Sequence, residues 1–106
     1  MTEAEFEQLA EQTLGRVEIA LETAQVDADV EMKEGGILEL EFADGSKLIV
    51  NRHRAAREIW VAARSGGFHF RWDGAAWRDT RDGAELFGAL SRLISQQGGS
   101  PVVLAP

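Results

Sequence analysis

The feature that most constrains this chain is a double change of hydrophobic period. Phe6, Leu9, Ala10, Leu14, Val17, Leu21 and Ala24 recur every three or four positions, the spacing of one face of an α-helix. From about Ala28 the period falls to two: Val30 and Met32 alternate with Asp29, Glu31 and Lys33, then Leu38, Leu40 and Phe42 with Glu39 and Glu41. Helical spacing returns at Leu86, Phe87, Leu90, Leu93 and Ile94. A run of half-buried strands between two amphipathic helices is compatible with few architectures.

The joints between strands narrow them further. Glu34-Gly35-Gly36, Asp44-Gly45, Ser65-Gly66-Gly67 and Asp73-Gly74 are turn signals, and a polar crossing at Arg52–Arg57 separates the third strand from the fourth. Parallel neighbours need connections of about a dozen residues or more, so these short links predict antiparallel pairing. The expected strands follow Ala28, run from Ile37 to Phe42, Lys47 to Asn51, Glu58 to Ala63 and Phe68 to Trp72, and end with a short one near Trp77. Thr2 with Glu5 and Asp82 with Glu85 predict capping boxes at the two helix starts. Gly98-Gly99 predicts the end of the second helix, and Val102-Val103-Leu104 a tail that packs back along the helices. Each helix has one apolar stripe, so both should cover the same sheet face. The expected fold is α+β: a two-layer sandwich, with N- and C-terminal helices on one face of a five- to six-stranded antiparallel sheet. A single domain over residues 1–106 is expected.

Charge is distributed unevenly. The chain has 18 Asp and Glu against 11 Lys and Arg, a net charge of −7. Residues 1–44 hold thirteen acids and two bases, and residues 45–106 hold five acids and nine bases. Nucleic-acid binding needs concentrated Lys and Arg, so this balance argues against it. The absence of cysteine excludes a disulfide framework, a thiolate metal site and a cysteine nucleophile. No apolar run approaches the roughly 20 residues that span a bilayer. The acidic start, Met1-Thr2-Glu3-Ala4-Glu5, differs from the basic start of a targeting peptide, and a cytoplasmic location is expected. His53 and His69 lie on separate elements, and the chain has no serine-triad spacing, phosphate loop or dinucleotide fingerprint. The expectation is a protein that is not an enzyme.

Two patterns carry functional meaning. Glu7, Glu11, Glu18 and Glu22 fall within roughly 60° of one another on the first helix, a stripe about 22 Å long beside the apolar arc. Asp27, Asp29 and Glu31 follow at alternate positions, about 6.6 Å apart on a strand. If that first strand lies at the sheet edge, helix and strand acids merge into one self-repelling ridge. Hard cations with oxygen preference (Fe, Mn, Ca or Mg) would relieve the repulsion, bound weakly because surface carboxylates leave water in the shell. Without His or Cys, zinc and copper are not favoured. The second pattern is on the sheet. Alternation sends Lys47, Ile49, Asn51, Glu58, Trp60, His69 and Arg71 to the face away from the helices. An outward tryptophan beside Asn51, His69 and Arg71 has the composition of a protein-docking surface. Acidic helix faces are most often simply solvated, and tryptophans are often half-buried at sheet edges. From the patterns alone, those readings stay open.

The run Gly45-Ser46-Lys47-Leu48-Ile49-Val50-Asn51-Arg52 and its continuations Glu58-Ile59-Trp60-Val61-Ala62 and Gly66-Gly67-Phe68-His69-Phe70 resemble the frataxin family, particularly its bacterial branch. Trp77, Asp82-Gly83 and the acidic first helix and strand agree with it. The resemblance implies an α–β sandwich acting in iron–sulfur cluster assembly, with ferrous and ferric iron (Fe2+/Fe3+) bound weakly on the acidic ridge. It implies docking on a cysteine desulfurase (IscS) and its scaffold complex, as an iron-sensitive regulator. A monomer is expected, and whether metal induces oligomers stays open. Carried over by position, the ridge is Glu11, Glu18, Glu22, Asp27, Asp29 and Glu31, and the partner surface is Asn51, Arg52 and Trp60 with Arg64 and His69. The chain departs from its relatives at Ile19 and Thr23, which interrupt the acids, and at His53, where glutamine is common. The alternative is an acidic interaction module that works without metal. An iron-storing oxidase ranks last, because the paired Glu-x-x-His spacing of ferritin-like bundles is missing.

Overall fold

The computed structural model describes residues 1–106. The first helix, α1 (Glu3–Thr23), begins as its sequence predicts: Thr2 accepts from the Glu5 amide at 3.1 Å, and Glu5 Oε1 accepts from the Thr2 amide at 2.8 Å. Its end is a Schellman motif. The Gln25 amide donates to Glu22 O and the Val26 amide to Leu21 O, with Gln25 in the left-handed region at φ 54°. This tight reversal sets Glu22 close to the strand that follows.

Six strands succeed one another: β1 (Ala28–Lys33), β2 (Ile37–Phe42), β3 (Lys47–His53), β4 (Glu58–Ala63), β5 (Gly66–Trp72) and β6 (Trp77–Asp79). They form one antiparallel sheet in sequential order, so β1 and β6 are its edges. Period-2 alternation fixes the faces. Leu38, Leu40, Leu48, Val50, Ile59, Val61 and Phe70 are buried beneath the helices together with Phe6, Ala10, Leu14 and Val17 of α1. Thr13 is a buried polar residue of α1 with its hydroxyl fully used: it donates to Leu9 O and accepts from the indole of Trp77 at 2.9 Å.

The second helix, α2 (Leu86–Gly98), starts differently from the expected capping box. Glu85 is the N-cap, and its own carboxylate accepts from the Phe87 and Gly88 amides. Asp82 instead closes a turn before the helix by accepting from the Ala84 amide, and Gly83 adopts φ 77° there. Leu86, Phe87, Ala89, Leu90, Leu93 and Ile94 are buried, and Gly99 ends the helix at φ 78°. The tail docks on α2 through amides of Val102 and Leu104 donating to Ser95 and Ser91. Leu104 is buried there and Val103 is not. Both helices lie on one sheet face; the other face is open.

Candidate functional site

On the open face, strand register puts Asn51, Trp60 and His69 in one row and His53, Glu58, Arg71 and Arg78 in the next. Trp60 stands between two imidazoles. The His53 and Trp60 ring centroids are 3.6 Å apart at 12°, and those of Trp60 and His69 are 4.3 Å apart at 9°. The indole N–H donates to Glu58 Oε1 at 2.9 Å, and Arg71 Nη2 donates to Glu58 Oε2 at 2.7 Å. The His53 ring is anchored in turn, because its Nδ1 accepts from the Ala56 amide at 3.2 Å. Glu58 is buried although it is on the open face, being roofed by this cluster. Burial raises its pKa, but hydrogen bonds from Trp60 and Arg71, Arg71's charge and the charge of a protonated His69 more than offset that, and the carboxyl lies below the usual glutamate range. Each stacked pair is worth about 0.5–1.5 kcal/mol beyond the area it buries. The tryptophan is therefore pre-ordered.

Two residues expected on this face are elsewhere. Arg52 has the parity of Leu48 and Val50 and turns toward the helices, where its guanidinium pairs with Glu7 at 2.6 Å. Gly36 permits this: it sits at φ 74° and the Arg52 side chain fills the space a Cβ would need. Arg64 follows β4, at the opposite end of that strand from Glu58. It pairs with Asp44 at 2.8 Å, and its amide donates to Gln97 of α2. Asn51, Trp60 and His69 come together as expected; Arg52 and Arg64 do not join them.

β1 is an edge strand, as the merging of helix and strand acids requires. The acids nonetheless divide around it. Ala28, Val30 and Met32 oppose Phe42, Leu40 and Leu38, on the helix side, so Asp29 and Glu31 share the open face with Glu41 and Glu39. Glu7 leaves the stripe altogether, held by Arg52 and by Arg54 at 2.8 Å. Glu39 is bridged by Lys33 at 2.8 Å and Lys47 at 3.1 Å, whose hydrogen bonds hold it below the usual carboxylate range. Glu31 lies 3.7 Å from Lys33. Glu11 lines a cleft of about 450 Å³ with Lys33 and Arg52. Glu18, Glu22, Asp27, Asp29 and Glu41 form no ion pair. They gather around the start of β1 in two clefts, one of about 320 Å³ with Glu18 and Glu22, the other of about 190 Å³ with Asp27, Asp29 and Glu41. Val26 and Ala28 form the wall the two clefts share.

As a donor set these carboxylates suit hard, oxygen-seeking cations. No three His, Asp or Glu side chains are grouped to hold a metal ion, so such cations would keep most of their water. Three residues of the site carry no role in the sequence patterns alone. Glu41 follows from the register of the Glu34-Gly35-Gly36 hairpin, which sets it opposite Asp29. Glu58 and His53 follow from strand parity with Trp60 and Asn51, once β3 is extended to His53.

Comparison with known proteins decides the lineage. The frataxin-like domain model matches residues 1–100. The chain belongs to the frataxin family. A protein of Dechloromonas aromatica named iron-sulfur cluster assembly protein CyaY is 64% identical over 104 residues, covering 98% of this chain and 99% of that one. A protein of the same name from Janthinobacterium sp. is 53% identical, covering 98% and 96%. The frataxin of Psychromonas ingrahamii superposes with a TM-score of 0.90 at 32% identity over 100% of both chains. A trimeric frataxin of the yeast Saccharomyces cerevisiae, described as complexed with ferrous, matches the fold at TM-score 0.66 and 22% identity, covering 91% of this chain and 87% of that one. The helix–sheet–helix order of this frataxin-like domain is thus a family property. No helix in it is long and apolar enough to cross a membrane.

Proposed function

We propose that this protein acts in iron–sulfur cluster assembly as an iron-responsive regulator or adaptor of the cysteine desulfurase complex. Family membership and the shared name of its full-length relatives support the process. The observation that carries the mechanism is that a pre-ordered tryptophan shares the open sheet face with the unpaired Asp29 and Glu41, while Glu18 and Glu22 flank the same edge from the helix side. Asn51, Trp60 and His69, with His53 and Glu58 behind them, supply the shape-specific contact. Glu18, Glu22, Asp27, Asp29 and Glu41 supply long-range attraction for a basic desulfurase surface, a role that speeds encounter and weakens with salt.

The same acids, with Glu11 and Glu31 further along the edge, would hold ferrous or ferric iron singly or in pairs. Bound iron lowers the negative charge that the partner meets, which couples iron supply to docking. One observation favours a second reading, a metal-independent module: no three acids are gathered into a chelate. Titration calorimetry with purified cysteine desulfurase at low and high ionic strength tests the proposal. Binding should be tight at low salt, weaken steeply at high salt, and fall in a Glu18→Ala/Glu22→Ala/Asp29→Ala variant. Equal binding by the variant would sink the electrostatic role.

A further inference from the structure

The docking tryptophan has no free face. Both sides of the indole are covered by imidazoles, at 3.6 and 4.3 Å, and its N–H is already given to Glu58. A partner therefore meets the ring edge of Trp60 together with the two histidines, and what the histidines carry decides what it meets. His69 is half exposed, with Nδ1 3.8 Å from Glu58 Oε1. The neutral His53 ring carries its proton on Nε2, because Nδ1 is the acceptor of the Ala56 amide, and protonation at Nδ1 breaks that bond.

Charged groups from every strand share this face. Asp29, Glu31, Glu39 and Glu41 lie on β1 and β2, Glu58 on β4, Lys33 and Lys47 on β1 and β3, Arg71 and Arg78 on β5 and β6. Carboxylates ordinarily titrate near pH 4, lysine and arginine above about 10. Only histidine ordinarily changes charge between about pH 5 and 8. The unpaired Asp29 and Glu41 select a partner with basic side chains on this face.

We propose that His53 and His69 set the pH dependence of docking: a basic partner surface is held while both imidazoles are neutral and released when they are protonated. This rests on the docking reading above and names its regulation. The physical course is direct. Protonation adds up to two positive charges beside Trp60, where a basic surface must approach, in a contact that excludes the water which would screen them. Docking opposes protonation, and linkage makes the effect reciprocal: the partner expels the protons that weaken it.

Affinity for purified cysteine desulfurase, measured by calorimetry at pH 7.8 and 5.8 at constant ionic strength, tests the idea. Each unit by which docking lowers an imidazole's proton affinity weakens binding at the lower pH by up to about tenfold. A His53→Gln/His69→Gln variant should bind with nearly the same affinity at both, and each single variant should retain part of the ratio. In the free wild type, the Trp60 indole N–H resonance should move as both imidazoles titrate. Wild-type binding that is unchanged between the two pH values, or a ratio that persists in the double variant, overturns this inference and leaves the docking reading standing. No binding at pH 7.8 overturns both.

Discussion

The edge around β1 and the row around Trp60 border one sheet face and are built on opposite principles. At the edge, Glu18, Glu22, Asp27, Asp29 and Glu41 have no ionic partners and converge on two shallow clefts that share a wall. In the row, a chain of hydrogen bonds constrains the tryptophan and its neighbours: indole to Glu58, Glu58 to Arg71, His53 to the Ala56 amide. Unpaired surface charge attracts from a distance but fixes no geometry. A stacked, hydrogen-bonded ring fixes geometry and reaches no further than contact. Under the proposed function, the edge serves attraction and cation capture, and the row serves recognition.

Removing the ring should do the most to separate the two. Trp60→Ala is expected to cost docking about 2 kcal/mol or more, a loss of roughly thirtyfold in affinity for the desulfurase, while binding of cations at the edge stays as it was. Loss of both together would break the division. Glu58→Gln comes next. The folded carboxyl gives up its proton more readily than the unfolded one, so its contribution to stability is complete above the ordinary glutamate range and is lost as pH falls below it. Chemical denaturation should show about 1–3 kcal/mol lost at neutral pH and a shallower decline into acid.

Smaller effects test the placement of charges. Arg52→Gln should cost about 0.5–1.5 kcal/mol through its partly buried pairing with Glu7 and leave docking unchanged, because that side chain is on the helix side of the sheet. A fall in affinity equal to that of Trp60→Ala would return Arg52 to the docking face. The edge acids repel one another across i,i+4 positions such as Glu18 and Glu22, at about 0.2–0.5 kcal/mol per pair. Added salt should therefore raise the melting temperature slightly in the wild type and less in the Glu18→Ala/Glu22→Ala/Asp29→Ala variant.

The architecture was readable because period and turn chemistry agree along the chain. Phe6 to Leu21 could only be a helix face, and Gly35-Gly36 and Asp44-Gly45 could only join neighbouring strands. Alternation also set Trp60 outward correctly. What local pattern could not supply was pairing between distant residues. Glu7 reads as part of an acidic stripe until Arg52 and Arg54, brought over by β3 and the turn after it, neutralise it. Asp29 and Glu31 read as continuous with the helix glutamates until edge-strand register turns them to the other side. Arg52 was legible and misassigned, since its parity with Val50 already excluded the open face. The ladder of His53, Trp60 and His69 needs three strands in register, which no single segment encodes.

The central claim is that one edge of the sheet gathers cations while the neighbouring row stays uninvolved. Anaerobic titration with Fe(II), followed by amide and indole resonances, addresses it directly. Broadening is expected at Glu18, Glu22, Asp27, Asp29 and Glu41, with the Trp60 indole and the rings of His53 and His69 unchanged. Broadening centred on those histidines, or none at the start of β1, would contradict it.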